Sequence, residues 1–233
     1  MGLGNGYKFI SVSRFGFLRS PIPEGASIKL QAAQYKALLD YLNIKNVIVF
    51  GASAGGPSAT QFANDYPERC SVLLLLSAVS RAHIPGDREP FYVNIIHRVQ
   101  QSDYIYWLIS RFFQSQILSL MGIPPQIYRH FTPEQKVLAQ EMLDIMHPMS
   151  PRYGGTKNDG EMLENYHITT DRLTAPALII HAKDDSLVSY EHAEYAHKNI
   201  KQSKLILFDT GGHGMLPQME KVRRELNEFL SAV

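Results

Sequence analysis

A single cysteine, Cys70, stands in 233 residues, so no internal disulfide can staple this fold. Charge of one sign is equally scarce. Lys plus Arg at 23 against Asp plus Glu at 22 gives a formal net charge of +1, which leaves no global field to attract nucleic acid or an anionic membrane. No apolar segment follows a basic start at the N-terminus, so secretion has no support and the chain reads as cytoplasmic. The most apolar helical stretch, Tyr104 to Met121, is interrupted by Arg111, Gln114 and Gln116, which argues against a membrane span. Repeats and low-complexity tracts are absent too. These absences leave a small, neutral molecule as the expected partner.

What is present is enough apolar material, 45% of the residues, for one globular domain with room for an inserted subdomain. The most informative stretch is Val47-Ile48-Val49-Phe50 followed at once by Gly51-Ala52-Ser53-Ala54-Gly55-Gly56. Four apolar residues and then a serine ringed by small residues read as a buried strand turning sharply into a helix, with Ser53 at the tip. A serine on so tight a bend must adopt strained dihedrals, and nearby backbone passes close, so Gly51 and Gly55 are expected to meet a steric demand. The helix that follows aims free N–H groups at the place where negative charge develops during acyl transfer.

Along the chain, Tyr7 to Val12 alternates as a short strand and Arg14 to Pro23 is a loop punctuated by Gly16, Pro21 and Pro23. Ser27 caps a helix to about Leu42, with Leu30, Ala33, Ala37, Leu38 and Tyr41 as its apolar face. A helix from Pro57 to about Tyr66 precedes Pro67, and Val72 to Leu76 is greasy enough for a strand covered on both faces. Strand character returns at Ala177–His181 and Leu205–Phe208, and a helix from about Met219 to Leu230 closes the chain. Between them, residues 81–170 read as helical, aromatic and proline-punctuated, with Phe91, Tyr92, Tyr104, Tyr106, Trp107, Phe112, Phe113, Tyr128 and Phe131. The expected architecture is therefore α/β, a mainly parallel sheet flanked by helices, with residues 1–80 and 171–233 forming the core around a helical insertion at 81–170. Aromatic residues in that insertion can either form its own core or face a substrate.

A serine hydroxyl needs an imidazole to accept its proton and a carboxylate to orient that imidazole. Of nine histidines, His213 follows the last strand in the flexible run Asp209-Thr210-Gly211-Gly212-His213-Gly214, whereas His181 ends a strand and His192 and His197 fall on a predicted helix. Asp184 and Asp185 both follow the preceding strand. Cys70 has no predicted base beside it and is a poor nucleophile candidate. His192 and His197 are five apart, an unsuitable spacing for a metal pair, and no metal is expected.

The sequence Gly51 to Gly55 matches G-x-S-x-G, and with the later strand ends the chain resembles the α/β-hydrolase family of serine hydrolases over essentially its whole length. The resemblance implies Ser53 as nucleophile, His213 as base and Asp185 as acid, since Lys183-Asp184-Asp185 is similar to the family's G-x-x-D loop with Ala182 in the glycine place; Asp184 stays open as the alternative. It also implies the Ala54 backbone N–H as an oxyanion donor, a cap formed by residues 81–170, no cofactor, and an apolar or ester-type substrate. Ser11 to Ser20 is similar to the family's D-x-x-G-x-G-x-S loop, with Ser13 in the aspartate place. The pattern departs in one respect: the His-Gly loop and third strand that supply the family's second oxyanion donor have no counterpart, as though the fold were N-terminally shortened. Tyr7–Val12 is then left either beside a gap or paired directly with Val47–Phe50, and an exposed sheet edge would favour self-association. Gly2, Gly4 and Gly6 are the flexible residues that could offer a substitute N–H. The rival expectation is a catalytically weakened protein that binds a small molecule or a protein through the same pocket.

Overall fold

Four runs of apolar residues become the strands β1 (Val47–Ala52), β2 (Cys70–Leu76), β3 (Ala177–Ala182) and β4 (Ser203–Phe208) in a computed structural model that describes residues 6–82, 97–164 and 166–233. All pairings are parallel and the order is β1-β2-β3-β4. The register sets Ala52 opposite Leu76, Leu76 opposite Ile180 and Ala182 opposite Phe208, so the carboxyl ends of all four strands finish along one rim of the sheet. That rim is where ligands bind in open parallel sheets.

Helices cover both faces, which is why β2 and β3 can be almost continuously apolar. On one face α1 (Ile28–Tyr41), α2 (Gly56–Asp65) and α8 (Glu191–Asn199) bury Leu39, Phe62, Ala63 and Ala196 against Leu73, Leu75, Ala177 and Ile179. On the other, α9 (Met219–Ala232) packs Val222 and Leu226 against Val72, Leu74, Leu178 and Ile180. From Val72 onward in β2, and throughout β3, odd-numbered residues thus face α1, α2 and α8 and even-numbered ones face α9, as the strand period requires.

The Tyr7–Val12 segment is not a strand. It has no ladder partner, and Tyr7, Phe9, Ile10 and Val12 are exposed. Among the described residues β1 pairs with β2 alone, so the expected pairing of Tyr7–Val12 with Val47–Phe50 is not formed, and Val47 to Phe50 stay only half-buried. An alternating pattern describes a half-buried surface, and it produces a strand only where a neighbouring ladder is available.

The buried face of α1 also differs from the expected one. Ser27 caps it by accepting from Leu30 N at 3.1 Å, but Gln31, Ala32 and Leu39 are the buried residues, while Ala37 is exposed and Tyr41 is 83% exposed. Polar bonding turned the helix. The Phe15 N–H donates to Gln31 Oε1 at 2.8 Å, and the Tyr35 hydroxyl shares a hydrogen bond with Ser58 Oγ at 3.2 Å, so two polar side chains occupy the inner face.

Between β2 and β3 the described chain is helical: α3 (Asp103–Phe112), α4 (Gln114–Leu120), α5 (Pro125–Tyr128), α6 (Pro133–Ile145) and α7 (Ser150–Leu163). Its aromatic residues divide. Tyr106 and Phe131 are buried with Ile117, Leu118 and Leu143, whereas Tyr104, Trp107, Phe112 and Phe113 are exposed; Phe91 and Tyr92 lie outside the described residues. Thr132 and Gln135 cap α6 reciprocally, and Asp103 Oδ1 accepts from Met149 N at 2.7 Å and Ser150 N at 2.8 Å, tying the start of α7 to α3. No described helix is long and apolar enough to cross a membrane.

The loop after Val12 is pinned to α7. Leu18 N donates to Pro151 O at 2.8 Å, and the Arg14 guanidinium meets Asp159 Oδ2 at 2.5 Å. Burial pushes the Asp159 carboxyl up, and Arg14 opposes that shift by favouring the charged form. Removing the cation leaves a nearly buried carboxylate without its partner, so Arg14→Ala is expected to cost about 1–3 kcal/mol, read as a lower urea midpoint. A midpoint equal to wild type would show that the pair adds no net stability.

Candidate active site

The bend after β1 has the expected local form. Ser53 adopts φ 51°, a left-handed conformation that non-glycine residues occupy only under constraint, and it opens a short 3₁₀ turn, Ser53–Gly55, that runs straight into α2. Ser53 O accepts from Val79 N at 3.0 Å, fixing the turn against the chain leaving β2.

The steric demand falls on Gly51, as expected, and on Gly56 in place of Gly55. A methyl group at Gly51 would lie 2.7 Å from Ala59 Cβ, and one at Gly56 would lie 2.5 Å from the Val79 carbonyl oxygen. At Gly55 the nearest atom would be Arg14 Nη1 at 3.6 Å, an ordinary contact. The close approach is therefore between the first turn of α2 and the chain beyond β2, one residue later than the G-x-S-x-G pattern suggests. Gly56→Ala is expected to lower stability by about 1–3 kcal/mol through overpacking, whereas Gly55→Ala stays within about 0.5 kcal/mol of wild type in urea denaturation. Equal losses in the two variants would contradict this placement of the contact.

At the far side of the rim the loops after β3 and β4 meet. His213 Nδ1 lies 2.8 Å from Asp185 Oδ2, with the His213 side chain 14% exposed and that of Asp185 fully enclosed. Asp185 is saturated with donors. Leu187 N and Val188 N each donate to Oδ1 at 2.9 Å, and His181 Nε2 stands 3.1 Å from the same Oδ2 that His213 uses. Asp184 makes a different set of bonds: its Oδ1 accepts from Gly211 N and Gly212 N, both at 2.9 Å, and so holds the loop that carries His213. The two neighbouring carboxylates have divided labour, one on the imidazole and one on its loop.

The helical segment reaches this loop directly. Gly122, at φ +78°, follows α4, and its carbonyl accepts from His213 N at 2.9 Å. A methyl group there would sit 2.6 Å from His213 Cβ and 2.9 Å from Leu187 Cβ. Around Gly214, Ile123 Cδ1 and Met142 Cε would lie 3.2 and 3.7 Å from an added methyl, so the imidazole's loop has apolar neighbours.

Ser53 and His213 are not hydrogen-bonded to each other in this structure. The rim assembles the histidine–carboxylate pair and presents the strained serine separately, and hydrogen bonds of this kind commonly tighten only when substrate arrives. Among the glycines named as substitute donors, Gly2 and Gly4 lie outside the described residues, and a methyl at Gly6 would meet nothing within 4 Å. Cys70 is buried with its thiol pushed up to about 12 by burial, which keeps it protonated. Nδ1 of His192 accepts from Ser80 N at 3.1 Å, and His197 bonds Ser203 Oγ at 2.8 Å, so both serve local structure. No group of three or more histidine, cysteine or acidic residues is placed to hold a metal among the described residues.

A match to the α/β-hydrolase fold family spans residues 2–218. The chain belongs to that family. It is 30% identical over 222 residues to an uncharacterized hydrolase, YcgS, of Bacillus subtilis, covering 89% of this chain and 76% of the relative. It is 28% identical over 230 residues to the AB hydrolase superfamily protein YisY of the same organism, covering 96% and 81%. Among solved structures, an α/β-hydrolase fold protein from Nakamurella multipartita superposes with a TM-score of 0.69 at 26% identity, over 92% of this chain and 79% of that one.

The Asp185 charge has a measurable signature. Burial by itself would push its carboxyl up, but the hydrogen bonds from His181 and His213 outweigh burial and hold it below the usual carboxylate range. A folded-state value below the unfolded one, about 3.9, contributes stability that is complete above roughly pH 5 and is lost as pH falls towards the folded value. Wild type is therefore expected to lose stability more steeply than Asp185→Asn between about pH 5 and pH 2, measured as urea midpoints across that range. Parallel curves for the two proteins would contradict the bonding described for this carboxylate.

Proposed function

We propose that this protein is a serine hydrolase acting on carboxylic esters through Ser53, His213 and Asp185. The observation that carries the reading is the 2.8 Å contact between His213 Nδ1 and Asp185 Oδ2, held at the rim where Ser53 sits in a strained bend. With Nδ1–H donated to Asp185, the imidazole keeps Nε2 free as a base. Nε2 takes the proton of Ser53 Oγ as that oxygen attacks the ester carbonyl. The carbonyl oxygen becomes an oxyanion, for which the Ala54 N–H at the start of α2 is the proposed donor. The intermediate collapses, His213 returns the proton to the leaving alcohol, and an acyl-enzyme remains on Ser53. Water, deprotonated by His213, then releases the acid and restores the serine.

The helices between β2 and β3 act in this reading as a cap over the rim. Ile123, Leu187 and Met142 beside the His213 loop suit an apolar acyl or alcohol group, and the balanced net charge suits a neutral one. A second reading, a binding module of the same fold, draws on one observation: Ser53 and His213 are not hydrogen-bonded. Among the described residues no strand pairs with the outer edge of the half-buried β1, and such an edge favours self-association in either reading.

Labelling of the purified chain by a fluorophosphonate probe discriminates the two. Wild type is expected to label, Ser53→Ala not at all, and His213→Ala at a rate lower by about two orders of magnitude or more. A folded, monodisperse wild type that takes up no probe would exclude an activated serine and favour the binding module.

A further inference from the structure

His181 is the last histidine that strand position would place near chemistry, yet it lies fully buried at the end of β3. Its Nε2 is 2.9 Å from the Val188 carbonyl oxygen and 3.1 Å from Asp185 Oδ2. A carbonyl can only accept, and so can an ionised carboxylate, so Nε2 must carry the proton and is shared between the two oxygens. The other ring nitrogen, Nδ1, is buried without a hydrogen-bond partner, and so is Ser77 Oγ. A second proton on Nδ1 would leave a buried N–H facing no acceptor, so the ring is neutral, with a bare acceptor nitrogen.

The β2–β3 ladder ends with Leu76 opposite Ile180, and the Ser77 N–H still donates to Ile180 O at 2.9 Å, so the strand end that carries His181 is fixed to the chain leaving β2.

We propose that His181 is a positioning residue for the Asp185 carboxylate, its ring held in the Nε2–H form by the two acceptor oxygens that Nε2 faces. The inference rests on the serine-hydrolase reading. With Leu187 N and Val188 N on Oδ1 and His181 on Oδ2, the carboxylate cannot turn, and its remaining direction at Oδ2 is the one that meets His213. Because the ring is neutral, it fixes the carboxylate without cancelling the charge that His213 needs when it takes the serine proton. A cation in that place would satisfy the same oxygen and compete for its charge.

The test compares fluorophosphonate labelling rates of wild type, His181→Leu and His181→Gln, with urea midpoints to establish folding. Glutamine places an N–H where the histidine has Nε2, and leucine fills space alone. His181→Leu is expected to label about tenfold or more slowly, the loss of a hydrogen bond to a charged group, while His181→Gln recovers most of the rate. A folded leucine variant labelling at the wild-type rate, or a glutamine variant no faster than leucine, would overturn the proposal. Imidazole nitrogen NMR on the wild type reads the bonding without activity and serves if the leucine variant does not fold. His181 is expected to show a protonated Nε2 and a bare Nδ1. A proton on Nδ1 would overturn the proposal as well. Failure of wild type to label would instead strike the serine-hydrolase reading, with the nitrogen spectrum still deciding whether His181 bonds as proposed.

Discussion

A buried negative charge organises this end of the molecule. The Asp185 carboxylate has no exposed surface, so it stays ionised only while donors surround it, and the structure supplies four: two backbone N–H groups and two imidazoles. Each donor fixes something else in turn. The backbone pair shapes the loop after β3, His181 anchors that loop to the strand, and His213 ties it to the loop after β4. Remove the charge and those contacts lose their common acceptor, so the position of His213 is a consequence of how Asp185 is buried.

Such an arrangement is open to this chain because its sheet is parallel and covered on both faces. In a parallel sheet every strand delivers its carboxyl end to the same rim, and the register here keeps the four ends level. Apolar side chains on both faces of β2 and β3 leave their polar business to the residues just past the strands, where Ser77, Asp184, Asp185 and the glycines before His213 all lie. Some of the backbone strain lies at that boundary as well. Ser53 and Ser77 both have positive φ immediately after a strand, and each is held by a backbone hydrogen bond to the neighbouring segment.

The sequence is legible where one physical rule dominates and obscure where two compete. β2 and β3 could be read because continuous apolar runs admit few alternatives, and Ser53 because a serine among small residues after such a run has one natural geometry. Tyr7–Val12 alternates as a strand would but has no ladder to join, and nothing in six residues reveals whether a neighbour exists. The face of α1 was misplaced because apolar counting ignores Gln31 and Tyr35, whose hydrogen bonds repay their burial. Gly56 rather than Gly55 carries the close contact because that depends on Val79, which is distant in sequence. The bonding of His181 was hidden for the same reason: its partners are an oxygen of Asp185 and the Val188 carbonyl, and only the turn after β3 brings them together. Spacing did hold one clue. A histidine four residues before an aspartate, across a strand end, is a short enough loop for the two side chains to meet.

The helical segment is not merely laid over the rim. Gly122 offers its carbonyl to the His213 N–H while its missing side chain leaves room for His213 Cβ and Leu187 Cβ, and Leu216, just beyond His213, is buried in the same cluster as Tyr106, Leu118 and Leu143. The loop bearing His213 therefore belongs to two packing units at once. Asp184 and Asp185 hold it from the sheet side, and Gly122 and Ile123 hold it from the helical side. The His213 backbone and the chain after α4 are therefore fixed to each other, because the Gly122 bond and the close approach of Gly122 to His213 Cβ act at the same point.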